Sequence, residues 1–400
     1  MIRSIPTTLA DYRSAARRRL PRFLYDYYAG GSGREQTMMA NAADWDQVRL
    51  RQRVLVDVEQ IDTRARLAGE DCAMPLALAP IGLAGMAARR GEVQALAAAE
   101  AAGVPFTLST VGICGLDELA AAASRPFWFQ LYMIRDRSIV EAVVDRAWAV
   151  GCRTLMLTVD LPMPGPRHRD TRNGLALPGL RPKLLKASQL AARPGWIWDV
   201  ALRGRPMTLG TMSPHVQAAS DPDAFRRWID HQFDRSVTWS DVAWLRDRWK
   251  GRLLLKGILD VDDAERSVAV GADGLVVSNH GGRQLDGVSS TARKLPDIVQ
   301  AVGARCEVLV DGGIAGGIDV YRALALGASG VLIGRAWVWA LATAGRSGVD
   351  RMLAGYRDEL RLAMALTGVT RTTEIGPDCL DARGASEERM EPQMNADERG

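Results

Sequence analysis

The feature that most constrains the fold is a series of eight short apolar runs that alternate with stretches of helical periodicity. Uninterrupted apolar runs of this length are typical of strands buried on both faces, as in a parallel sheet. The runs cover residues 75–80, 104–109, 127–132, 154–159, 252–257, 274–278, 307–312 and 330–334. The clearest helical stretches cover residues 91–102, 136–150, 260–270 and 317–326. Eight such units predict an α/β fold, a (β/α)8 TIM barrel rather than an open doubly wound sheet.

Two segments exceed a minimal barrel. Residues 1–70 precede the first predicted strand, and their pattern predicts a helix over about 8–30 and short strands near 48–58 and 61–68. We expect this helical and hairpin extension to cover the bottom of the barrel. The second segment, 160–251, follows the fourth strand and is far longer than an ordinary connection.

Composition places the chain among globular proteins, since 47% of its 400 residues are apolar and 24% are charged. We expect one domain over 1–380, with a barrel core at about 71–367, and a disordered polar tail over 381–400. The longest stretch without charge, 72–88, is interrupted by prolines and is a poor spanning helix. The N-terminus has no charged head followed by an apolar core, so no secretory signal is predicted.

The cysteine and histidine residues limit the disulfide bonds and metal sites that the chain can form. The five cysteines form no CxxC pair, and the four histidines include no close pair. This pattern predicts neither a disulfide framework nor a metal site, and it fits a reducing cytosol.

Positive charge is concentrated in the irregular part of the long connection, residues 161–213. This basic insert holds nine Arg and Lys residues against Asp170 and Asp199, which gives +7 where the whole chain carries +4. Leucine and tryptophan lie beside these charges, so the pattern predicts peripheral docking of 174–210 on an anionic membrane. The alternative is a solvated lid that closes the active site. No nucleic-acid motif accompanies the charge, so nucleic-acid binding is not predicted. The remainder, 213–250, is predicted to be helical.

The ends of the predicted strands are unusually polar. In an α/β barrel the working face lies at the C-terminal ends of the strands, and seven of the eight ends carry hydrogen-bonding or charged groups. We therefore predict a polar ligand over the barrel mouth. The residues concerned are Ser109, Gln130, Tyr132, Thr158, Asp160, Lys256, Ser278, His280, Asp311, Gly334 and Arg335.

The segment 278–286 (SNHGGRQLD) is the most specific motif. His280 can exchange a proton near neutral pH, and Arg283 can bind a carboxylate through two hydrogen bonds. The alternative is a loop histidine that bonds only to backbone. For the Tyr27–Tyr28 pair, the pattern alone predicts packing.

The glycine-rich segment 311–317 (DGGIAGG) predicts phosphate binding, because glycines allow close approach and the following helix start offers unpaired N–H groups. The alternative is an ordinary tight turn. Lys256 ends a buried strand and needs an electron-rich partner. It is either a cation that faces an anionic cofactor or a Schiff-base nucleophile, as in an aldolase on the same barrel. A non-enzymatic rival is a membrane scaffold with an inert barrel.

With these motifs, the chain resembles the FMN-dependent L-2-hydroxy acid dehydrogenase family, which includes glycolate oxidase, mandelate dehydrogenase and quinone-linked L-lactate dehydrogenase. The resemblance covers about residues 5–380 and is closest to the bacterial membrane-associated lactate dehydrogenases. The matching motifs, in order, are YDYYAGG (25–31), LAPIGLAG (78–85), FTLST (106–110), WFQLY (128–132), LTVD (157–160), LLKGI (254–258), SNHGGRQLD (278–286), DGG (311–313), ALALGA (323–328) and IGR (333–335).

The resemblance implies roles for individual residues. His280 would be the active-site base, and Asp160 would stabilise its imidazolium. The residues that would bind the substrate are Tyr27, Tyr132, Arg167 and Arg283. Lys256 would face the N1/O2 edge of the flavin. The other residues that would hold FMN are Pro80, Ile81, Gly82, Ser109, Gln130, Thr158, Ser278, Asp311, Gly312, Gly313, Gly334 and Arg335.

The resemblance also implies an activity: oxidation of an L-2-hydroxy acid, L-lactate in the first place, with reduction of FMN and transfer of electrons to a membrane quinone or another acceptor. The alternatives are an (S)-mandelate dehydrogenase and an oxidase that uses oxygen. Gly82 stands where the oxidase branch commonly has alanine, which favours a dehydrogenase. Ala315 stands where many members carry an arginine that meets the flavin phosphate. A homotetramer, peripheral on the cytoplasmic side of the inner membrane, is expected, with a soluble cytoplasmic protein as the alternative location.

Overall fold

The computed structural model describes residues 5–175, 177, 179–215 and 232–381. Within them, the strands in chain order are β1 Ala65–Leu67, β2 Glu70–Cys72, β3 Leu76–Leu78, β4 Thr107–Ser109, β5 Trp128–Tyr132, β6 Thr154–Thr158, β7 Arg252–Ile258, β8 Gly274–Val277, β9 Glu307–Val310 and β10 Gly330–Ile333. Eight parallel strands form one sheet in the order β3-β10-β9-β8-β7-β6-β5-β4. Leu78 N–H donates to Pro105 O at 2.9 Å and Leu78 pairs with Phe106, so the two ends of this order meet. The predicted (β/α)8 barrel is thereby confirmed.

Helices surround the barrel, and the four helical stretches predicted between strands are found within one residue of their predicted ends. The α-helices are α1 Leu9–Arg19, α2 Arg22–Ala29, α3 Gln36–Gln47, α4 Gly91–Ala102, α5 Leu116–Ala122, α6 Arg137–Ala149, α7 His168–Arg172, α8 Leu180–Ala191, α9 Pro194–Trp196, α10 Trp239–Arg248, α11 Val261–Ala269, α12 Thr291–Val302, α13 Gly317–Ala325, α14 Arg335–Ala344 and α15 Arg346–Thr367. A π-helix over Ile197–Leu202 continues α9, and short 3₁₀ helices cover Ala84–Met86, Ser213–His215, Thr372–Glu374 and Pro377–Cys379.

The hairpin β1–β2 closes the bottom of the barrel. Leu67 is fully buried in the cluster that fills the barrel interior, against residues such as Trp128 and Met156. The indole N–H of Trp128 donates to Glu70 Oε1 of the hairpin at 2.9 Å, so the large ring is buried without an unpaired donor. The expected extension is thus a plug for the barrel floor.

The expected strand near 48–58 is wrong. Leu50 forms an isolated bridge to Leu380, Arg53 N–H bonds Leu366 O, and no regular strand follows. Only single backbone contacts to the distant C-terminal segment are available there, so the alternating pattern finds no neighbouring strand. The expected helix over 8–30 is two helices, α1 and α2. The predicted tail and part of the predicted helix 213–250 lie outside the described residues.

A third N-terminal helix, α3, connects the extension to the barrel mouth. The Asp286 carboxylate, from the loop after β8, accepts hydrogen bonds from Arg34 N–H at 2.8 Å and Thr37 N–H at 2.9 Å. Asn41 of α3 and Asn279 exchange two side-chain hydrogen bonds. These contacts fix the segment before α3 above the C-terminal ends of the strands.

The basic insert contains an amphipathic helix, α8, with no buried residue. Its Leu180 and Leu184 expose 73% and 62% of their surface, and Leu177 and Trp198 nearby are also exposed. Among the described residues, no helix has the length and hydrophobicity needed to cross a bilayer. The apolar surface of α8 is therefore a feature of the protein exterior.

Replacing Leu67 by alanine should lower the free energy of unfolding by about 3 kcal/mol, because it leaves a cavity in the barrel interior. The matched control is Leu55→Ala, since Leu55 is fully exposed and should change stability by less than about 0.5 kcal/mol. Urea unfolding at one FMN concentration measures both. Equal stability of the two variants would contradict the assignment of the hairpin as a plug.

Candidate active site

The polar strand ends open on a single large cavity of about 1720 Å³. The predicted site residues that line it are Tyr27, Pro80, Ile81, Gly82, Tyr132, Thr158, Arg167, Lys256, His280, Arg283, Asp311, Gly312, Gly313, Gly334 and Arg335. The remaining predicted residues, Ser109, Gln130, Asp160 and Ser278, lie behind this wall and bond to groups described below. The structure thus brings all of the predicted site residues to one place.

His280 and Asp160 form a largely buried pair at the cavity. His280 Nδ1 lies 2.8 Å from Asp160 Oδ1. A carboxylate can only accept, so this contact places a proton on Nδ1 and leaves Nε2 as the basic nitrogen. His280 has φ of 57°, in the left-handed region that non-glycine residues seldom adopt. The loop after β8 therefore holds the backbone of His280 in a strained conformation, and Asp160 fixes the orientation of its imidazole ring.

The two partners influence each other's protonation. Burial lowers the pKa of His280 below its ordinary value, with further lowering from Lys256 and Arg167, although Asp160 opposes the shift. Burial raises the pKa of Asp160, but the charges of His280 and Lys256 outweigh it, so the pKa of Asp160 is lowered overall. The site near neutral pH therefore holds a neutral imidazole beside a carboxylate, which is the proton-accepting state.

Lys256 is the second buried charge. Its Nζ lies 2.8 Å from Asp311 Oδ2 and donates to Ser278 Oγ at 2.8 Å. Burial lowers the pKa of Lys256, but Asp311 and Asp160 outweigh it, so the pKa is raised overall. A Schiff-base nucleophile requires a neutral amine, so this environment disfavours the aldolase hypothesis. Ser278 Oγ also accepts the backbone N–H of His280 at 3.1 Å, which connects the two buried groups.

Two guanidinium groups flank Tyr27 near His280. The guanidinium carbons of Arg283 and Arg167 lie 5.1 Å and 6.0 Å from the centre of the Tyr27 ring. Arg283 Nη1 donates to Tyr27 O at 2.6 Å and Gly30 O at 2.9 Å. Burial lowers the pKa of Arg283 to about 9, and Arg167 adds to this effect. Two cations held this close to one another favour an anion between them.

The two adjacent tyrosines both line the cavity but have different partners. Tyr28 is buried and its hydroxyl donates to Leu83 O at 2.6 Å, so it packs as predicted. Tyr27 lies beside the guanidinium groups of Arg283 and Arg167, as the substrate-binding role implied by the resemblance requires. Across the cavity wall, the Tyr132 ring packs edge-to-face on Phe233 at 5.7 Å, and burial raises the pKa of its hydroxyl, which stays protonated as a donor.

Polar atoms without partners mark a ligand-binding wall. Ser109 Oγ donates to Gln130 Oε1 at 3.0 Å, which leaves Gln130 Nε2 buried with no hydrogen-bond partner among the described residues. Asp311 Oδ1 is also buried without a partner in that part of the chain. Buried donors and acceptors are normally satisfied, so these atoms indicate groups supplied by a ligand.

The glycine-rich loop after β9 approaches the cavity closely. Gly312 and Gly313 have φ of 90° and 86°, which other residues rarely adopt, and a Cβ on Gly313 would collide with Asn41 O. The expectation that the start of α13 offers free N–H groups needs correction. Ala315 N–H donates to Asp319 Oδ2 at 2.8 Å, and Gly317 N–H donates to Glu359 Oε2 at 2.6 Å. Carboxylates therefore already occupy part of this helix start.

Arg335 begins α14 at the same end of the cavity. It donates to Tyr28 O at 3.2 Å, Gly30 O at 3.1 Å and Gly281 O at 2.9 Å. Burial lowers the pKa of Arg335 to about 10. Its guanidinium thus remains charged at neutral pH among neutral carbonyl groups.

Several residues of the site were not assigned from the sequence. Gln284 Nε2 donates to Asp160 O at 2.9 Å and Met163 O at 3.0 Å, which joins the loops after β6 and β8. Gln284 lies in the SNHGGRQLD motif, so its closeness to His280 in the sequence could have indicated that it belongs to the site. Phe233 and residues 207–209 close part of the cavity. They come from the long connection after β6, where no pattern indicated proximity to the mouth.

Comparisons with known proteins agree with this geometry. A family model described as FMN-dependent dehydrogenase matches residues 16–382. An L-lactate dehydrogenase of Caulobacter sp. (strain K31) is 52% identical over 371 residues, 93% of this chain and 97% of that relative. An L-lactate dehydrogenase of Alcaligenes faecalis is 48% identical over 376 residues, 94% of this chain and 99% of the relative.

Solved structures extend the likeness to the fold. A structure described as the monotopic membrane protein (S)-mandelate dehydrogenase superimposes with a TM-score of 0.88 at 35% identity, over 94% of this chain and all of the other. A mandelate oxidase superimposes with a TM-score of 0.79 at 38% identity, over 94% of this chain and 98% of the other.

Replacing Asp160 by asparagine should lower the pKa of His280 further, because the carboxylate is the group that raises it. The substitution is isosteric, and Gln284 bonds the backbone of residue 160, so the loop should persist. A pH titration of ¹³C-labelled histidine ring signals, assigned with the help of His280→Gln, measures the shift. A higher pKa in the Asp160→Asn protein would contradict the described pairing.

Proposed function

The chain belongs to the FMN-dependent dehydrogenase family, and from this premise we propose that it oxidises an L-2-hydroxy acid, L-lactate in the first place, to the 2-oxo acid. Its cofactor is FMN. The observation that carries the proposal is the His280–Asp160 pair in one cavity with a buried lysine and two guanidinium groups. This set combines a base, an anion-binding site and a fixed positive charge.

The residues present fit FMN. Gln130 Nε2 and Asp311 Oδ1 are a donor and an acceptor without partners, as the polar edges of a flavin ring require. We assign the ring to Lys256, Ser278, Thr158, Ser109, Gln130, Asp311 and the segment 80–82, and the phosphate end to Gly312, Gly313, Gly334 and Arg335. When bound, FMN accepts the two electrons of the oxidation. The Lys256 cation, kept charged by Asp311, provides electrostatic stabilisation for negative charge that develops beside it.

The substrate would be bound as an anion. Arg283 and Arg167 supply the charge for its carboxylate, and the hydroxyl of Tyr27 supplies a further hydrogen bond. Arg167 Nε is buried without a partner among the described residues, so it has a donor to offer. Tyr132, protonated at neutral pH, would donate to the substrate oxygen.

His280 would accept the proton. Its neutral Nε2 would take one proton from the substrate, either from carbon or from the hydroxyl. The other of these two hydrogens would leave together with the two electrons that FMN accepts when bound. The imidazolium that forms lies against the Asp160 carboxylate, which stabilises the positive charge at Nδ1. Burial disfavours the imidazolium before substrate binds, so the base is held ready in its acceptor form.

Two relatives' names support L-lactate, and the structural neighbours support (S)-mandelate as the alternative substrate. The wall beyond the carboxylate site includes Val111, Leu161 and Met207, which are apolar and accommodate either side chain. Anaerobic mixing of the purified protein with L- and D-lactate and both mandelates, while the flavin absorbance is followed, distinguishes the two. Bleaching by none of these acids would reject the proposal.

The electrons would be transferred to a membrane quinone. The protein would bind peripherally to the cytoplasmic side of the inner membrane through the docking surface on α8. Support comes from the exposed leucines of α8 and from a structural neighbour described as a monotopic membrane protein. Arg181, Lys183 and Lys186 on the same helix suit anionic headgroups. The homotetramer implied by the family resemblance stays a prediction.

Replacing His280 by alanine should slow flavin reduction by L-lactate at least ~10²-fold, because the base is lost. Stopped-flow absorbance under anaerobic conditions measures the rate. The control is His215→Ala, a histidine that does not line the cavity and should reduce flavin at the normal rate. Near-normal reduction in the His280→Ala protein would remove His280 from the mechanism.

Replacing both Leu180 and Leu184 by glutamate should weaken binding to phosphatidylglycerol-containing vesicles at least ~10-fold, because apolar contact is lost and negative charge is added. The matched control replaces Leu362 and Leu366, which have the same spacing and similar exposure on α15. Vesicle co-sedimentation measures both proteins. If the two double variants bind alike, α8 is not the docking surface.

A further inference from the structure

We propose that Arg13 of α1, together with the indole N–H of Trp339, binds the phosphate of FMN as a second cationic group beside Arg335. The inference rests on the proposed placement of the flavin in the cavity. It concerns the N-terminal helix, which no part of the family motif assigns to the cofactor.

The cavity continues beyond Arg335 to the N-terminal helix. Arg13 and Trp339 line it together with the loop that holds Gly313 and Ala315. Trp339 lies one helical turn after Arg335 on α14, so both side chains project from one face of that helix. The Arg13 guanidinium carbon lies 5.6 Å from the centre of the Trp339 ring. Arg13 is therefore placed at the phosphate end of the cavity.

The contacts of Arg13 hold its side chain in place without neutralising its charge. Its Nε donates to the hydroxyl of Tyr25 at 3.1 Å, and its guanidinium stacks on Trp339. The ion pairs found among the described residues do not include Arg13. Its two terminal nitrogens remain available, and a planar guanidinium suits phosphate oxygens geometrically.

Trp339 gives independent support. The residue is only 5% exposed, and its Nε1 is buried with no hydrogen-bond partner among the described residues. An indole N–H normally finds a partner when buried. A phosphate oxygen in the adjoining cavity would supply that acceptor.

The positive charges at the phosphate end of the cavity also favour a bound anion. Arg335 is surrounded by carbonyl groups, and Arg13 contributes to the lowering of the pKa of Arg335 to about 10. Part of the neighbouring helix start is occupied by Asp319 and Glu359, which would repel phosphate. A dianionic phosphate therefore needs more positive charge than Arg335 supplies, and Arg13, beside Trp339 on the helix that begins with Arg335, is a further cation that lines the cavity.

The test compares FMN with riboflavin, which lacks the phosphate. Apoprotein is prepared from the full-length holoenzyme, and dissociation constants for both ligands are measured by quenching of flavin fluorescence. Arg13→Met should weaken FMN binding about tenfold, the lower end for a hydrogen bond to a charged group, because Arg13 is partly in solvent. Riboflavin binding should not change.

Three further variants sharpen the result. Arg18→Met, on the same helix but outside the cavity, should bind FMN normally. Arg13→Lys should lose less affinity than Arg13→Met because it keeps the charge. Trp339→Phe should weaken FMN several-fold and spare riboflavin. Salt should weaken FMN binding more steeply in the unmodified protein than in Arg13→Met.

The outcomes separate this inference from the proposed function. Equal losses for FMN and riboflavin, or normal FMN binding by Arg13→Met, would overturn the assignment of Arg13 while leaving the flavin enzyme intact. An unmodified protein that binds neither ligand would overturn both proposals. Selective loss of FMN affinity in Arg13→Met and Trp339→Phe would establish the phosphate site.

Discussion

Lys256 and Asp311 are buried, and His280 and Asp160 are largely buried, at the end of a closed barrel, where unpaired charge is strongly unfavourable. Each cation or base therefore lies within 2.8 Å of a carboxylate oxygen, and Ser278 connects the two pairs. These pairs can exist only because parallel strands bring their C-terminal ends to one face. The barrel is the scaffold, but pairing of the buried charges determines how the residues at its mouth are arranged.

The positive charge at the mouth is only partly neutralised. Arg283 and Arg335 bond to carbonyl groups in the last turn of α2 and of Gly30 directly after it, and neutral carbonyls orient a guanidinium without cancelling its charge. The same N-terminal segment thus positions both ends of the cavity. In the proposed function one end would bind the substrate carboxylate and the other the phosphate, so both anion sites would depend on a segment outside the barrel.

The sequence predicted the parts of this arrangement that follow from local patterns. Eight apolar runs specify eight strands, and the polar residues at their ends specify the face that binds ligands. The parts that it did not predict depend on contacts between distant segments. Glu359 caps the start of α13 from 42 residues away, and Leu50 meets Leu380 across most of the chain. Gln284 lay in a predicted motif, yet its role appears only once the loop after β6 lies beside it. Periodicity carries no information about such pairings.

The exposed helix α8 is connected to the cavity through hydrogen bonds. Gln189 of α8 accepts the backbone N–H of Phe23 at 2.8 Å and donates to Asn173 O at 3.2 Å. Phe23 lies in the first turn of α2, which carries Tyr27, so a helix with exposed leucines is attached to an element that lines the cavity. The exposed leucines of α8 contribute no stability while they are in contact with water. A membrane in contact with α8 would cover them, and it would bring a lipid-soluble acceptor to the same side of the barrel as the flavin. The exposed leucines of α8 therefore support the proposed membrane docking, while Lys186 of the same helix lines the cavity and connects this surface to the site.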